Sequence, residues 1–199
     1  ISSKKNMLKL LENIKEYEEG IINEIKYYIN TYTFKNDKEF RKAIDIWCDN
    51  QDLKKNTLDK KYGKIEYWDV SNIIDMSSLF EIEIYNSGYI DDVRVCESDY
   101  EIIENDYNPD VSRWDVSNVT NMEYMFNGCV RFNRDISYWN VNKVKFFRAM
   151  FCNCYEFNQP IGRWILGSVK NTHYMFESCL SFNQPLNNWN VSNVKNMSS

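Results

Sequence analysis

The sequence predicts an α/β solenoid, in which coils of one short strand plus one short helix pile along an axis behind an α-helical N-terminal cap. Three observations predict it. Trp114, Trp139, Trp164 and Trp189 follow one another at 25-residue intervals, and the residues around them repeat in register. A unit of 25 residues is too short to bury its own apolar positions, whereas stacked copies complete one another's core. Of the 199 residues, 43% are hydrophobic, enough to fill such a core, which sets disorder aside.

The elements follow in chain order. Residues 1–30 read as an amphipathic helix, since Met7, Leu8, Leu11, Ile14, Ile21, Ile25 and Tyr28 form an apolar stripe among Lys and Glu, interrupted by Gly20. That stripe either packs on the cap or docks on another subunit. Residues 31–67 read as a capping segment, whose Phe40, Ala43, Ile44 and Trp47 recur at helical spacing and suit a helix laid over the first coil. The repeats occupy 68–199 as about five coils. The first opens at Trp68 and keeps Val70, Asn72, Ile73, Met76, Leu79 and Phe80 in the shared columns. From Trp68 to Trp114 is 46 residues, one period plus an insertion of 21 that falls within 81–106.

Inside a coil, the predicted core columns are Trp114, Trp139, Trp164 and Trp189; Met125, Met150 and Met175; Phe126, Phe151 and Phe176; and Cys129, Cys154 and Cys179. Met122, Met125, Phe126 and Cys129 fall at i, i+3, i+4 and i+7, which predicts two helical turns with one apolar face. The stretch from Phe182 to Trp189 predicts a turn and a short strand, pairing with its neighbours at about 4.8 Å, with Pro160 and Pro185 where strands begin. Two asparagine columns, Asn72, Asn118 and Asn193, and Asn133, Asn158 and Asn183, suit amides that bond turn backbone and stack along the axis. The array stops mid-coil at Met197, Ser198 and Ser199, an edge that further repeats or another subunit would cover.

The net charge of −5 conceals a partition. Residues 1–67 carry 14 basic and 12 acidic side chains, residues 68–112 carry 1 and 12, and residues 113–199 carry 9 and 5. No segment has the strongly basic stripe of a phosphate-binding surface, so no nucleic-acid partner is expected. No run reaches the roughly 18 apolar residues of a membrane span. The acidic insertion sets Glu81, Glu83, Asp91, Asp92, Glu97, Asp99, Glu101, Glu104 and Asp106 against Arg94 alone. A solvated loop, a contact for a basic partner and a loose divalent-ion site all remain open there. With 26 Asn, 19 Ile and 17 Lys against 2 Ala, the codons favour A and T, which points to an AT-rich genome.

Chemistry-bearing residues are sparse. His173, the single histidine, shares a column with Ser77, Glu123 and Arg148, as a solvated position would. The cysteine column reads as small apolar groups with reduced thiols, and Cys152-Asn153-Cys154 has the wrong spacing for zinc. Without a phosphate loop, nucleophile elbow or carboxylate pair in the sequence, the expectation is a chain with no cofactor, no metal and no catalysis. Positions that break the repeat are the candidate partner contacts. Phe146 stands where Asp75, Asn121, Asn171 and Asn196 stand in other copies, and Ile165 replaces Asp69, Asp115, Asn140 and Asn190. Asp91, Asp92, Glu97, Asp99 and Glu101 join them as candidates, while local repacking accounts equally well for Phe146 and Ile165.

The stretch Phe182-Asn183-Gln184-Pro185-Leu186-Asn187-Asn188-Trp189-Asn190-Val191-Ser192-Asn193-Val194-Lys195-Asn196-Met197 resembles the repeat of mycoplasma and firmicute surface lipoproteins. That family is related to the BspA-like leucine-rich repeats, and similar arrays are encoded by large DNA viruses. The resemblance covers about residues 64–199, with a family-like lead-in over 31–67. It implies leucine-rich-repeat-like coils and a protein-binding, adhesive or structural role. The expectation is a non-catalytic scaffold that contacts other protein subunits within a larger complex, as a minor structural component of a large DNA virus particle assembled in the host cytoplasm. The alternatives are an adhesion protein on the surface of a mycoplasma-like bacterium and an intracellular host-interaction factor.

Overall fold

A computed structural model describes residues 15–16, 18–21, 31–49, 52–82 and 108–198, and within 52–56 the backbone alone. Most of the predicted 1–30 stripe and of the 81–106 insertion, including Asp91, Asp92, Glu97, Asp99 and Glu101, lies outside the described residues.

Helix α1 spans Asp37–Cys48 and α2 spans Asp52–Tyr62. The Asn36 side chain caps α1 by accepting from the Glu39 amide at 3.0 Å, and Asp37 and Glu39 place negative charge at its positive end. The apolar face of α1 buries Phe40, Ala43 and Ile44. That face lies over the first coil. The Phe40 ring meets Trp68 and Trp114 edge-on at 6.3 and 5.5 Å, and Trp47 meets Phe80 at 5.8 Å. Arg41 donates to the Ser77 carbonyl and pairs with Asp75 at 3.3 Å, while Asp37 accepts from the Ile74 amide.

From Trp68 onward the predicted strand-and-helix coil is wrong. Among the described residues there is no sheet; single-residue parallel bridges join Asp75 to Asn121, Asn121 to Phe146, Phe146 to Asn171 and Asn171 to Asn196. Among the described residues of that part, the helical content is the three-residue 3-10 turn Ile161–Arg163. The α/β solenoid of leucine-rich-repeat-like coils is therefore overturned. What recurs every 25 residues is a loop of turns, joined to its neighbours by backbone and side-chain hydrogen bonds.

The reason lies in where each amide points. Met122, Tyr124, Phe126 and Gly128 donate to the carbonyls of Phe146, Arg148, Met150 and Cys152 in the next loop, at 2.8 to 3.0 Å. The amides between them close turns within their own loop, Met125 to Met122, Asn127 to Tyr124 and Cys129 to Phe126, and the Glu123 amide donates to the Asn121 side chain. Every amide from Met122 to Cys129 is thus paired without an i to i−4 bond, which leaves nothing for a helix to satisfy. This alternation requires left-handed backbone at regular places: Ser78, Tyr124, Ala149 and Tyr174 have φ of 53°, 60°, 50° and 59°. Each such residue costs about 1–2 kcal/mol, which the inter-loop bonds offset.

The predicted strand fails for a related reason. The Asn158 amide donates to Oδ1 of Asn133 and the Asn183 amide to Oδ1 of Asn158, both at 3.0 Å, so a side-chain carbonyl stands where a strand would present backbone. Gln159 and Gln184 donate from Nε2 to the same asparagines. Pro160 precedes the 3-10 turn and starts no strand.

The core runs along the stack. Phe80, Phe126, Phe151 and Phe176 form one file of near-parallel rings with centroids 5.6, 5.9 and 5.8 Å apart. Phe132, Phe157 and Phe182 form a second at 5.9 and 5.8 Å. The files touch, with Phe126 stacked on Phe132 at 3.8 Å and Phe151 on Phe157 at 4.1 Å.

Candidate functional site

Many polar side chains next to this core act as staples between loops. The indole N–H of Trp114, Trp139, Trp164 and Trp189 donates to the carbonyl of Ile65, Val111, Ile136 and Ile161, at 2.9 to 3.1 Å. The thiols of Cys129, Cys154 and Cys179 donate to the carbonyls of Phe80, Phe126 and Phe151 at 3.1, 3.0 and 2.9 Å. The sequence predicts the cysteine column as small apolar groups; its thiols also bond one loop to the next. Burial pushes the Cys48 and Cys179 thiols up to about 12, and burial followed by the Glu177 carboxylate pushes Cys152 up to about 11. These thiols stay protonated at neutral pH, and a protonated thiol is a poor nucleophile and a poor metal ligand.

The remaining predicted core residues fall into place around the staples. Met125, Met150 and Met175 are buried with Phe126 and Phe151, whereas Phe176, Cys179 and Trp189 are half-buried. The amide of Asn118 donates to the Ser71 carbonyl and that of Asn193 to the Gly167 carbonyl. His173 is half-buried, with a hydrogen bond of 2.7 Å between its Nδ1 and Ser198 Oγ and its ring 3.6 Å from that of Tyr174.

The pattern-breaking positions stand on the outer rim. In other loops an Asp or Asn accepts from the amide two residues on: Asp115 from Ser117, Asn140 from Asn142, Asn190 from Ser192, and likewise Asn121 from Glu123 and Asn171 from His173. Phe146 and Ile165 have no such acceptor, and the two residues are 36% and 65% exposed. Each therefore gives up a turn-capping bond and presents an apolar group to solvent.

A feature missed in the sequence lies beside Phe146. Lys145, Lys170 and Lys195 occupy one column, joined directly by backbone bonds from the Lys170 amide to the Lys145 carbonyl at 2.8 Å and from the Lys195 amide to the Lys170 carbonyl at 2.9 Å. All three are exposed. Aligning the copies six residues after each Trp reveals the file; averaging charge over 113–199 hides it. A separate open cleft of about 610 Å³ lies beside α1 and α2, lined by Lys42, Asp45, Ile46, Asp49, Thr57, Leu58, Lys61 and Tyr62. No helix among the described residues is long and apolar enough to cross a membrane.

Residues 3–80, 50–92 and 97–199 match the model of a family described as "Mycoplasma protein of unknown function, DUF285". The chain belongs to this DUF285 family. The DUF285 match runs through α1, α2 and the stacked loops, and its second and third segments are separated by residues 93–96, inside the insertion. No curated protein and no solved structure matches the chain.

Proposed function

We propose that this DUF285 chain is a non-catalytic, protein-binding scaffold, and that it serves as a minor structural component of a large DNA virus particle. The observation that carries the scaffold reading is the use of its distinctive side chains. The indole N–H groups, core thiols and asparagine amides are engaged in holding one loop to the next, and the exposed rim is left for recognition. The AT-rich composition and the reduced thiols of Cys129, Cys154 and Cys179 support the virion setting. The relation of the repeat to the BspA-like leucine-rich repeats belongs to the same proposal and rests on the Phe182 to Met197 motif. Mass spectrometry and cross-linking of purified particles test it: peptides of this chain cross-linked to capsid subunits are expected, and their absence from intact particles refutes the setting.

A second reading, adhesion at the surface of a mycoplasma-like bacterium, is favoured by the description of the family. A lipobox or signal peptide in the full gene decides for it.

A further inference from the structure

We infer that the file of Lys145, Lys170 and Lys195, together with Phe146, is a docking surface for an acidic, extended segment of a partner protein. This rests on the scaffold reading and assigns it a surface.

Three ammonium groups one loop apart repel one another, and like charges on directly paired backbone are destabilising. Among the described residues none of the three has a carboxylate partner; the ion pair between Arg41 and Asp75 lies at the first loop. Their surroundings add to the positive charge. Lys143, bonded to Asn118 at 2.5 Å, and Arg148, over the Tyr124 ring at 5.4 Å, share the same stretch of rim. Between residues 141 and 198 the carboxylates are Glu156 and Glu177, in other columns, with Glu177 accepting from the Cys152 thiol. Glu123 accepts from Asn171, which is bridged to Phe146, so one carboxylate lies on the Phe146 side of the row and is already engaged by an amide.

Phe146 is the second, independent observation. It stands in the column next to the lysines, bridged on one side to Asn121 and on the other to Asn171. Its neighbours in that column, Asn121 and Asn171, cap the turn they begin, whereas Phe146 leaves the Arg148 amide uncapped and projects an exposed ring. A cationic file flanked by one apolar contact fits a chain of alternating carboxylates with an aliphatic side chain among them. Same-face residues of an extended chain recur at about 6.8 Å, and stacked rings of successive loops stand 5.6 to 5.9 Å apart, a difference that lysine's flexible stem absorbs. A single-file row with one aromatic is a poor platform for stacked bases, which favours a protein segment over single-stranded nucleic acid.

The test is a fluorescence-anisotropy titration of the 199-residue chain with a labelled peptide of alternating glutamate and threonine carrying one central leucine. Binding is expected to weaken steeply as salt rises. Each of Lys145→Ala, Lys170→Ala and Lys195→Ala is expected to weaken it roughly two- to fivefold, and the triple variant by about tenfold or more. Phe146→Ser should weaken the leucine peptide and spare an all-polar one, and Arg163→Ala, in another column, should change neither. Calorimetry of the triple variant should show an unchanged or higher Tm, since the removed groups are exposed and of like sign. A triple variant that binds as tightly as the parent, or affinity that ignores salt, overturns the inference. Tighter binding of a single-stranded RNA of equal charge through the same lysines overturns the protein assignment. Absence of the chain from virus particles would remove the virion setting and leave this titration standing, whereas a flat titration removes only the lysine surface.

Discussion

Replacing Trp164 with Phe keeps an aromatic ring in the core and deletes the indole N–H that reaches the Ile136 carbonyl at 3.1 Å. That carbonyl then retains one donor, the Trp139 amide at 3.1 Å. Losing a buried hydrogen bond costs about 1 kcal/mol. The smaller ring leaves roughly 40 Å³ between Phe147 and Trp189, which adds about 1 kcal/mol at the usual cavity cost. For a chain of this length, a total of about 2 kcal/mol lowers Tm by about 4–8 °C. Trp189 makes the same bond to Ile161 at 3.1 Å, but its ring is half-buried, so Trp189→Phe should cost about half as much. Scanning calorimetry of the two variants and the parent at pH 7 measures both. An unchanged Tm for Trp164→Phe would refute the view that these N–H groups hold the loops together, and equal losses would refute the dependence on burial.

Further outcomes follow from the same structure. Gly128→Ala would set a Cβ 2.3 Å from the Ile82 carbonyl oxygen at a φ of +79°, whereas Gly167→Ala meets nothing within 4 Å. The first should lose more than about 2 kcal/mol in urea unfolding and the second should be neutral or slightly stabilising. Ile165→Asp restores the acceptor for the Gly167 amide and should raise stability by up to about 1 kcal/mol by calorimetry; a partner that binds through Ile165 would be lost as stability rises. The raised thiols of Cys48 and Cys179, about 12 when folded, make stability fall with rising pH, because the folded chain holds protons that the unfolded chain has released. Unfolding followed from pH 8 to 11 should show that contribution intact below the ordinary thiol value and declining above it, with a shallower slope in Cys179→Ser.

The 25-residue register was legible because burial repeats whatever the backbone does. Met122, Met125, Phe126 and Cys129 are all buried, at the helical spacing the sequence showed. A chain of turns that each close three residues back also brings i, i+3, i+4 and i+7 to one side, so apolar spacing alone could not separate it from a helix. The deciding information is the left-handed backbone at Tyr124, Ala149 and Tyr174, residue types that carry no turn signal of their own. The absent strand is a similar case. Asn133 and Asn158 pair loop to loop through side chains, which composition shows as asparagine abundance and not as β-propensity. Phe146 and Ile165 were visible as broken columns, while the lysine file between them was not, since its residues look like ordinary solvated surface until copies are overlaid.

The inter-loop amides face both ways. Met122, Tyr124, Phe126 and Gly128 donate toward the C-terminal side, whereas Lys145, Lys170, Lys195, Glu156 and Ser181 donate toward the N-terminal side. Each loop therefore carries donors and acceptors on both of its faces, in separate stretches of chain. A neighbouring loop has to meet both stretches at once, and a slip of one residue along the loop would set N–H against N–H or oxygen against oxygen. The order of bonds fixes the register of the pile as firmly as the ring files do.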